Sequence, residues 1–221
     1  MAAAAFFAAG LAAAIAAGEL GFSRSVTPGL TDNFVRLFGQ GARGRLEGWK
    51  EFVRGTAGRS GRGGGGEIEL LRPVNGFFNR LPSVTDLEHW GIEDYWATPA
   101  EFLASNAGDC EDYAIAKYFT LKELGVPVSR LRMVYAQTRR AGGAHMVLAY
   151  YAAPGADPLI LDNLEGGIRS ASDRSDLTPV YTFNDDDLLF AQQGGIGITF
   201  DARSIRKWQG VLDKLARELT Y

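Results

Sequence analysis

NAGDCEDYAIAKYFTLKELG (Asn106–Gly125) contains the only cysteine of the 221-residue chain, Cys110. The asparagine, glycine and aspartate just before it favour a turn and a helix cap, and the residues after it are good helix formers. Gly125 and the proline two positions later predict the end of that helix. We therefore expect Cys110 in the first helical turn, where unpaired backbone N–H groups stabilise a thiolate, the nucleophilic form of cysteine.

Three carboxylates, Asp109, Glu111 and Asp112, surround this cysteine. A lone cysteine is more often a buried, inert residue, but such a site rarely includes three carboxylates that each need solvent or a partner. We therefore favour a reactive or metal-associated cysteine. Clustered hard oxygen ligands suit Ca²⁺. The alternative is that these acidic side chains only interact with the positive end of the helix.

Length and composition predict one domain, over residues 31–221, because a chain of this size with 46% hydrophobic residues can bury one sizeable core. The net charge of −3 argues against a general nucleic-acid-binding protein. A single cysteine excludes an internal disulfide and a zinc-finger site, and two histidines argue against a histidine-rich metal centre.

The first 18 residues have no charged side chain and are mostly alanine. This composition is typical of the apolar part of a secretory signal peptide, and Ala14-Ile15-Ala16 supplies a small-x-small cleavage pattern. A transmembrane anchor is the second interpretation and a buried helix the third. We favour export, with the mature chain beginning near Glu19.

Helical periodicity covers three long segments, residues 31–54 (one helix or a pair), 67–81 and 204–219. Between the first two lies a glycine-rich stretch, residues 55–66, that predicts a flexible loop or insertion. Thr98 and Pro99 predict a further helix start, with Glu101 placed to complete a capping box.

The pattern changes from helix to strand after the cysteine helix. Short strands are predicted at residues 131–137, 144–151 and 159–162, and their short connections imply an antiparallel meander. Helices followed by antiparallel strands indicate an α+β domain. His145 begins the second strand and Asp162 ends the third, so both are expected at one edge of the sheet. With Cys110 nearby, they form a candidate nucleophile, base and orienting acid.

Four segments of the sequence carry a resemblance to a known family: WATPAEFL, GDCEDYAIAKYFTLKELGVP, HMVLAYY and PLILDNLEGGI. Over residues 70–190 the chain resembles the bacterial transglutaminase-like cysteine peptidases, which include the LapG-type periplasmic proteases. The resemblance implies a papain/transglutaminase-like fold, with N-terminal helices packed on an antiparallel sheet. It also implies a catalytic triad of Cys110, His145 and Asp162, and favours Asp109 and Glu111, then Asp112, as calcium ligands.

The same resemblance implies a function and partners. LapG-type proteases depend on Ca²⁺ and cut large surface adhesins near the N-terminus at a paired-alanine site, which releases cells from biofilm. An inner-membrane receptor for cyclic-di-GMP sequesters them in the periplasm. Two alternatives stay open on the residues alone: transfer of the acyl group to an amine, as in transglutaminases, and a catalytically silent calcium-dependent binding module.

Overall fold

The computed structural model describes residues 26–63, 66–139, 143–192 and 195–221. The predicted signal peptide, residues 1–18, lies outside these described residues. Among the helices that are described, none combines the length and the apolar character needed to cross a bilayer.

The described chain folds into seven α-helices and one antiparallel sheet, which confirms the predicted α+β class. The segment 31–54, predicted as one helix or a pair, forms parts of the first two helices, and the helices predicted over 67–81 and 204–219 are also present. The helices are α1 (Pro28–Phe38), α2 (Gly41–Gly63), α3 (Ile68–Phe78), α4 (Asp86–Trp90), α5 (Pro99–Ser105), α6 (Cys110–Glu123) and α7 (Arg206–Glu218).

The sheet has seven described strands in the order β4-β3-β2-β1-β5-β6-β7. All neighbouring strands are antiparallel, and β1, β2 and β3 are adjacent, so the predicted meander is confirmed. The strands are β1 (Leu131–Thr138), β2 (Gly143–Tyr150), β3 (Leu159–Leu161), β4 (Arg169–Ser170), β5 (Leu177–Phe183), β6 (Leu188–Gln192) and β7 (Gly195–Phe200).

Helix α6 lies at the centre of the core. It packs on β1 and β2 on one side and on α3 and α5 on the other. Ile115 and Tyr118 are fully buried, and because neighbours surround the helix its sequence carries no continuous polar stripe. Trp49 of α2 also reaches this helix, where its Nε1 donates to Thr120 Oγ1 at 3.0 Å. These contacts fix the first turn of α6, with Cys110, relative to β2.

Helix α5 begins as predicted and leads into the cysteine loop. Thr98 Oγ1 accepts the Glu101 N–H at 3.1 Å, and Glu101 Oε2 accepts the Thr98 N–H at 2.9 Å. The helix ends at Asn106, whose φ of 68° turns the chain toward Gly108 and Cys110.

The glycine-rich stretch differs from its prediction. Helix α2 continues through it as far as Gly63, whereas residues 64 and 65 lie outside the described chain. Each glycine costs about 1 kcal/mol of helix stability relative to alanine. However, Val53 and Thr56 are buried, and an anchored helix extends without a new nucleus. Packing therefore overrides composition here, and the prediction of a loop is corrected for residues 55–63.

Candidate active site

Cys110 is the first residue of α6, as predicted. The loop before it is held by a hydrogen bond of 3.0 Å from the Val84 N–H to the Gly108 carbonyl. Only glycine fits at position 108, because a Cβ there would collide with the Asp112 carboxylate and lie 2.9 Å from the Phe102 ring. The glycine of the motif is thus required by packing, and it allows the segment before α4 to lie beside the cysteine.

His145 and Asp162 meet at one edge of the sheet, which confirms their predicted proximity. Leu148 of β2 pairs with Leu161 of β3, so the start of β2 lies beside the residue that follows β3. The His145 Nε2 and Asp162 Oδ1 atoms are 2.8 Å apart. Both side chains are buried, with exposed fractions of 2% and 1%. The hydrogen bond is therefore shielded from competing water.

One cavity of about 490 Å³ is lined by both Cys110 and His145. Because Asp162 occupies Nε2, Nδ1 is the imidazole nitrogen left for a group in this cleft. One basic side chain, Lys207, also lines the cleft and pairs with Asp94 at 3.3 Å. The acidic and aromatic lining residues are Asp86, Asp94, Asp109, Glu111, Trp96, Tyr135 and Tyr181. The cleft thus combines aromatic surface with carboxylates beside the cysteine.

The thiol of Cys110 donates a hydrogen bond to Glu111 Oε2 at 3.0 Å. Burial raises the pKa of this thiol well above its usual range, and the Glu111 carboxylate raises it further, while the Met146 backbone acts in the opposite direction. Burial and the neighbouring carboxylates thus oppose the thiolate that the start of the helix is expected to stabilise.

The carboxylates near the cysteine form a cluster larger than the sequence predicts. Oxygens of Asp86, Asp94 and Glu111 lie within 4.8 Å of one another, as do those of Asp86, Asp109 and Asp112. Within the described chain, the buried Oδ1 atoms of Asp86 and Asp109 have no hydrogen-bond partner. Burial and neighbouring carboxylates raise the pKa of Asp86 to about 6 and that of Asp109 to about 8. This donor set fits a hard divalent cation such as Ca²⁺.

The three acidic residues predicted as ligands occupy different positions. Asp109 and Glu111 line the cleft. Asp112 is fully buried, and its two oxygens accept N–H groups from Ala97 at 2.7 Å and Asp109 at 3.3 Å. Asp112 thus organises the loop, and its role as a ligand stays a prediction.

Sequence reasoning missed Asp86 and Asp94 as members of the cluster. Asp86 follows Thr85, which caps α4, so it resembles an ordinary acidic residue in a first helical turn. Asp94 adopts a φ of 58°, a conformation that aspartate tolerates in turns. Their link to the cysteine comes from tertiary pairing, because Ser83 forms a parallel bridge with Gly108.

A second acidic segment, Asn184–Asp187, also forms a turn. Asn184 Oδ1 accepts the N–H groups of Asp186 and Asp187 at 2.9 and 3.1 Å. Lys122 pairs with Asp185, and Arg132 pairs with Asp187. Two of the three carboxylates are therefore neutralised by basic side chains, which makes this turn a poor cation site.

Comparison with known proteins places these features in a family. Residues 64–181, just over half of the chain, match the family model of bacterial transglutaminase-like cysteine proteinases. A comparison with curated protein sequences gave no match.

Solved structures of LapG from Legionella pneumophila are similar over 84% of this chain and 97% of their own. The EGTA-treated LapG structure is 37% identical, with a TM-score of 0.70. The calcium-bound LapG structure is 36% identical, and a further LapG structure is 38% identical, each with a TM-score of 0.68. The predicted transglutaminase-like fold is confirmed, and the chain belongs to the family of bacterial transglutaminase-like cysteine proteinases.

Proposed function

We propose that this protein is a calcium-dependent cysteine endopeptidase with Cys110, His145 and Asp162 as its catalytic triad. The observation that carries the proposal is the 2.8 Å hydrogen bond between His145 and Asp162, in the wall of the cleft that also contains Cys110. A cysteine nucleophile needs a base, and the base needs a group that orients it. Membership of a cysteine proteinase family supports this assignment.

The three side chains have separate roles in the proposed reaction. His145 Nδ1 takes the thiol proton as Cys110 Sγ attacks the scissile carbonyl carbon. The backbone N–H of Cys110, at the helix start, donates to the developing oxyanion. His145 then returns the proton to the leaving amine, and it later deprotonates the water that hydrolyses the thioester. Asp162 holds the imidazole by accepting from Nε2.

The proposed calcium ligands are Asp86, Asp94, Asp109 and Glu111. Bound calcium would supply positive charge beside the cysteine and compensate this group of carboxylates. Glu111 Oε2 accepts the hydrogen bond of the thiol, and a carboxylate engaged by a cation is a weaker acceptor. The thiol of Cys110 would then be free to donate to His145. The calcium-bound LapG structure supports the choice of ion.

The proposed substrate is a large surface adhesin, cut near its N-terminus to release cells from biofilm. The proposed location is the periplasm, and the proposed regulator is an inner-membrane cyclic-di-GMP receptor that sequesters the enzyme. The similarity to LapG supports these three proposals, and the predicted export segment at residues 1–18 agrees with the location.

Incubation with an N-terminal fragment of a large adhesin from the same host, with calcium present, tests the proposed function. We expect two products, located by mass spectrometry at a paired-alanine site, and no cleavage by Cys110→Ala. A labelled amine in the same reaction detects acyl transfer, since its incorporation would indicate a transglutaminase instead. An intact fragment after incubation with the wild-type enzyme, or equal cleavage by Cys110→Ala, would contradict the proposal.

A further inference from the structure

A buried arginine lies behind the His145–Asp162 pair. The two oxygens of Asp162 have different partners: Oδ1 binds His145, and Oδ2 accepts from Arg174 Nη2 at 2.8 Å. The Leu164 N–H also donates to Oδ1, at 2.9 Å. Arg174 is only 4% exposed. Both ends of the Asp162 carboxylate are therefore fixed by donors in a site shielded from water.

Arg174 is itself held from its other side. Its Nε and Nη2 atoms donate to the two oxygens of Asp176, each at 2.9 Å. Its backbone is also fixed, because its N–H donates to the Ala171 carbonyl and its carbonyl accepts from Leu177, both at 3.0 Å. The bidentate contact with Asp176 sets the plane of the Arg174 guanidinium group. The direction in which Arg174 points at Asp162 is thus determined independently of Asp162.

We propose that Arg174, held by Asp176, is a positioning residue of the catalytic unit. It fixes the rotation of the Asp162 carboxylate so that Oδ1 faces the imidazole of His145. This inference deepens the proposed function and rests on it. Without the guanidinium group, Oδ2 would be a buried anionic oxygen with no donor, and the carboxylate could relieve this only by rotating or by taking up a proton.

A second buried cation faces Asp162 but cannot perform this task. Lys117, from α6, is fully buried, and its Nζ has no hydrogen-bond partner among the described residues. Burial lowers the pKa of Lys117 to about 7, against the opposing influence of Asp162. An ammonium group that makes no hydrogen bond acts through space and sets no direction. Of these two buried cations, only Arg174 therefore orients the carboxylate through a hydrogen bond.

The test compares Arg174→Gln and Arg174→Lys with a control, Arg132→Gln. Arg132 is also a mostly buried arginine of the sheet layer; its Nε donates to Thr182 Oγ1 at 2.9 Å and it pairs with Asp187. We expect Arg174→Gln to lower kcat at least tenfold with KM changed less than twofold. Arg174→Lys should restore part of the loss, because one donor remains. Arg132→Gln should keep the wild-type kcat.

A spectroscopic measurement decides the question without any substrate. The chain has two histidines, His89 and His145, so ¹⁵N labelling of histidine gives a two-residue spectrum. We expect Arg174→Gln to shift the His145 ring resonances and leave those of His89 in place, as an internal control. This readout also distinguishes failure of the present inference from failure of the proposed function. The His145 spectrum can be recorded even if the wild-type protein cleaves no adhesin fragment.

Two results would overturn the inference. One is a His145 spectrum in Arg174→Gln that matches the wild type. The other is a loss of kcat no greater than that of Arg132→Gln. If Arg174→Gln does not fold, Asp176→Asn replaces it, since this change breaks the bidentate contact that holds the guanidinium group while Arg174 stays in place. Unchanged His145 resonances and kcat in Asp176→Asn would then refute the role.

Discussion

Gly108 shows how a single missing side chain shapes the cysteine loop. A Cβ at this position would collide with the buried Asp112 carboxylate and crowd Phe102. We expect Gly108→Ala to lower the free energy of unfolding by about 1–3 kcal/mol, the usual range for overpacking. Gly48→Ala is the control, because nothing lies within 4 Å of its Cβ position in α2. Urea unfolding of both variants measures the change. A Gly108→Ala variant as stable as the wild type would contradict the prediction.

The proposed triad makes a graded prediction at the residue scale. His145→Ala should abolish turnover, since the proposed base that takes the thiol proton and returns it to the leaving amine is then missing. Asp162→Asn should lower kcat by roughly 10²–10⁴-fold, because the imidazole loses the carboxylate that orients and charges it. Steady-state kinetics with the cleaved adhesin fragment measures both effects. Near-normal turnover by His145→Ala would disprove the assignment.

The sequence predicts some of these residues and not others, for physical reasons. Cys110, His145 and Asp162 sit where regular elements begin or end, so strand pairing and helix capping place them without knowledge of the tertiary fold. Arg174 follows a single turn of 3₁₀ helix, Ala171–Asp173, in a segment without periodicity. Its link to Asp162 depends on how that turn packs, which no local pattern encodes.

At the scale of elements, the start of α5 joins the terminal helix to the core. Thr98 Oγ1 caps α5 and its hydroxyl donates to the buried Glu218 of α7. We expect Thr98→Ala to cost about 2–3 kcal/mol, from the lost cap and from a buried carboxyl left without its donor. Thr98→Ser should cost less than about 1 kcal/mol, since serine caps nearly as well.

Thr27 provides the control for this prediction. Its Oγ1 caps α1 by accepting the Leu30 N–H at 3.1 Å. Thr27→Ala should therefore cost about 1 kcal/mol, the value of a typical cap. Chemical denaturation compares the two alanine variants, and equal costs would show that the contact between α5 and α7 adds nothing.

Glu218 gives the fold a specific pH dependence. Burial raises the pKa of Glu218 to about 8, so the folded protein binds its proton more tightly than the unfolded chain does. This contribution to stability is complete below the unfolded pKa of about 4.3 and is lost as the pH rises toward 8. The maximal slope for one group is about 1.4 kcal/mol per pH unit.

Glu218→Gln removes this dependence, because an amide does not titrate. We expect its stability relative to the wild type to increase steadily from pH 5 to pH 8. Denaturation at each pH measures the difference, and Glu69→Gln, at an exposed position of α3, is the control. Parallel stability curves for the wild type and Glu218→Gln would contradict the prediction.

Element prediction succeeds where packing agrees with local preference. The capping box at Thr98 and the three alternating strands form as expected, because each combines turn residues with a clear period. The glycine-rich end of α2 is the exception. There, buried Thr56 continues the packed helix face that includes Val53, although composition alone assigns residues 55–63 to a loop.

At the scale of the whole molecule, the acidic cluster is where distant segments meet. Asp86 belongs to α4, Asp109 and Glu111 flank the start of α6, and Asp94 lies between α4 and α5. Folding brings their like charges together, which opposes the native state unless the charges are neutralised. A cation bound here would therefore stabilise the fold as well as the site. The sequence around Cys110 indicates only the part of this cluster that lies next to the cysteine, because Asp86 and Asp94 come from a distant segment.

Calcium should accordingly control both stability and activity. A ligand at 100 times its Kd stabilises the folded state by about 2.7 kcal/mol, which for a chain of this size raises Tm by roughly 5–10 °C. We expect EGTA to reverse this shift and to abolish turnover, and added calcium to restore both. Magnesium should restore little, because its strict octahedral shell suits a carboxylate loop badly.

The Asp86→Asn variant distinguishes calcium binding at the cluster from a general effect of charge on stability. Asparagine keeps an oxygen that can accept the Tyr95 N–H, as Asp86 does, but it removes one charged ligand. The variant should bind calcium at least tenfold more weakly by calorimetry and gain less in Tm. Asp186→Asn, in the second acidic turn, should behave like the wild type, because its carboxylate lies outside the cluster. Wild-type calcium affinity in Asp86→Asn would contradict the placement of the ion at this cluster. Full activity in excess chelator, with no measurable calcium binding, would leave these acids to serve only the loop and the helix start.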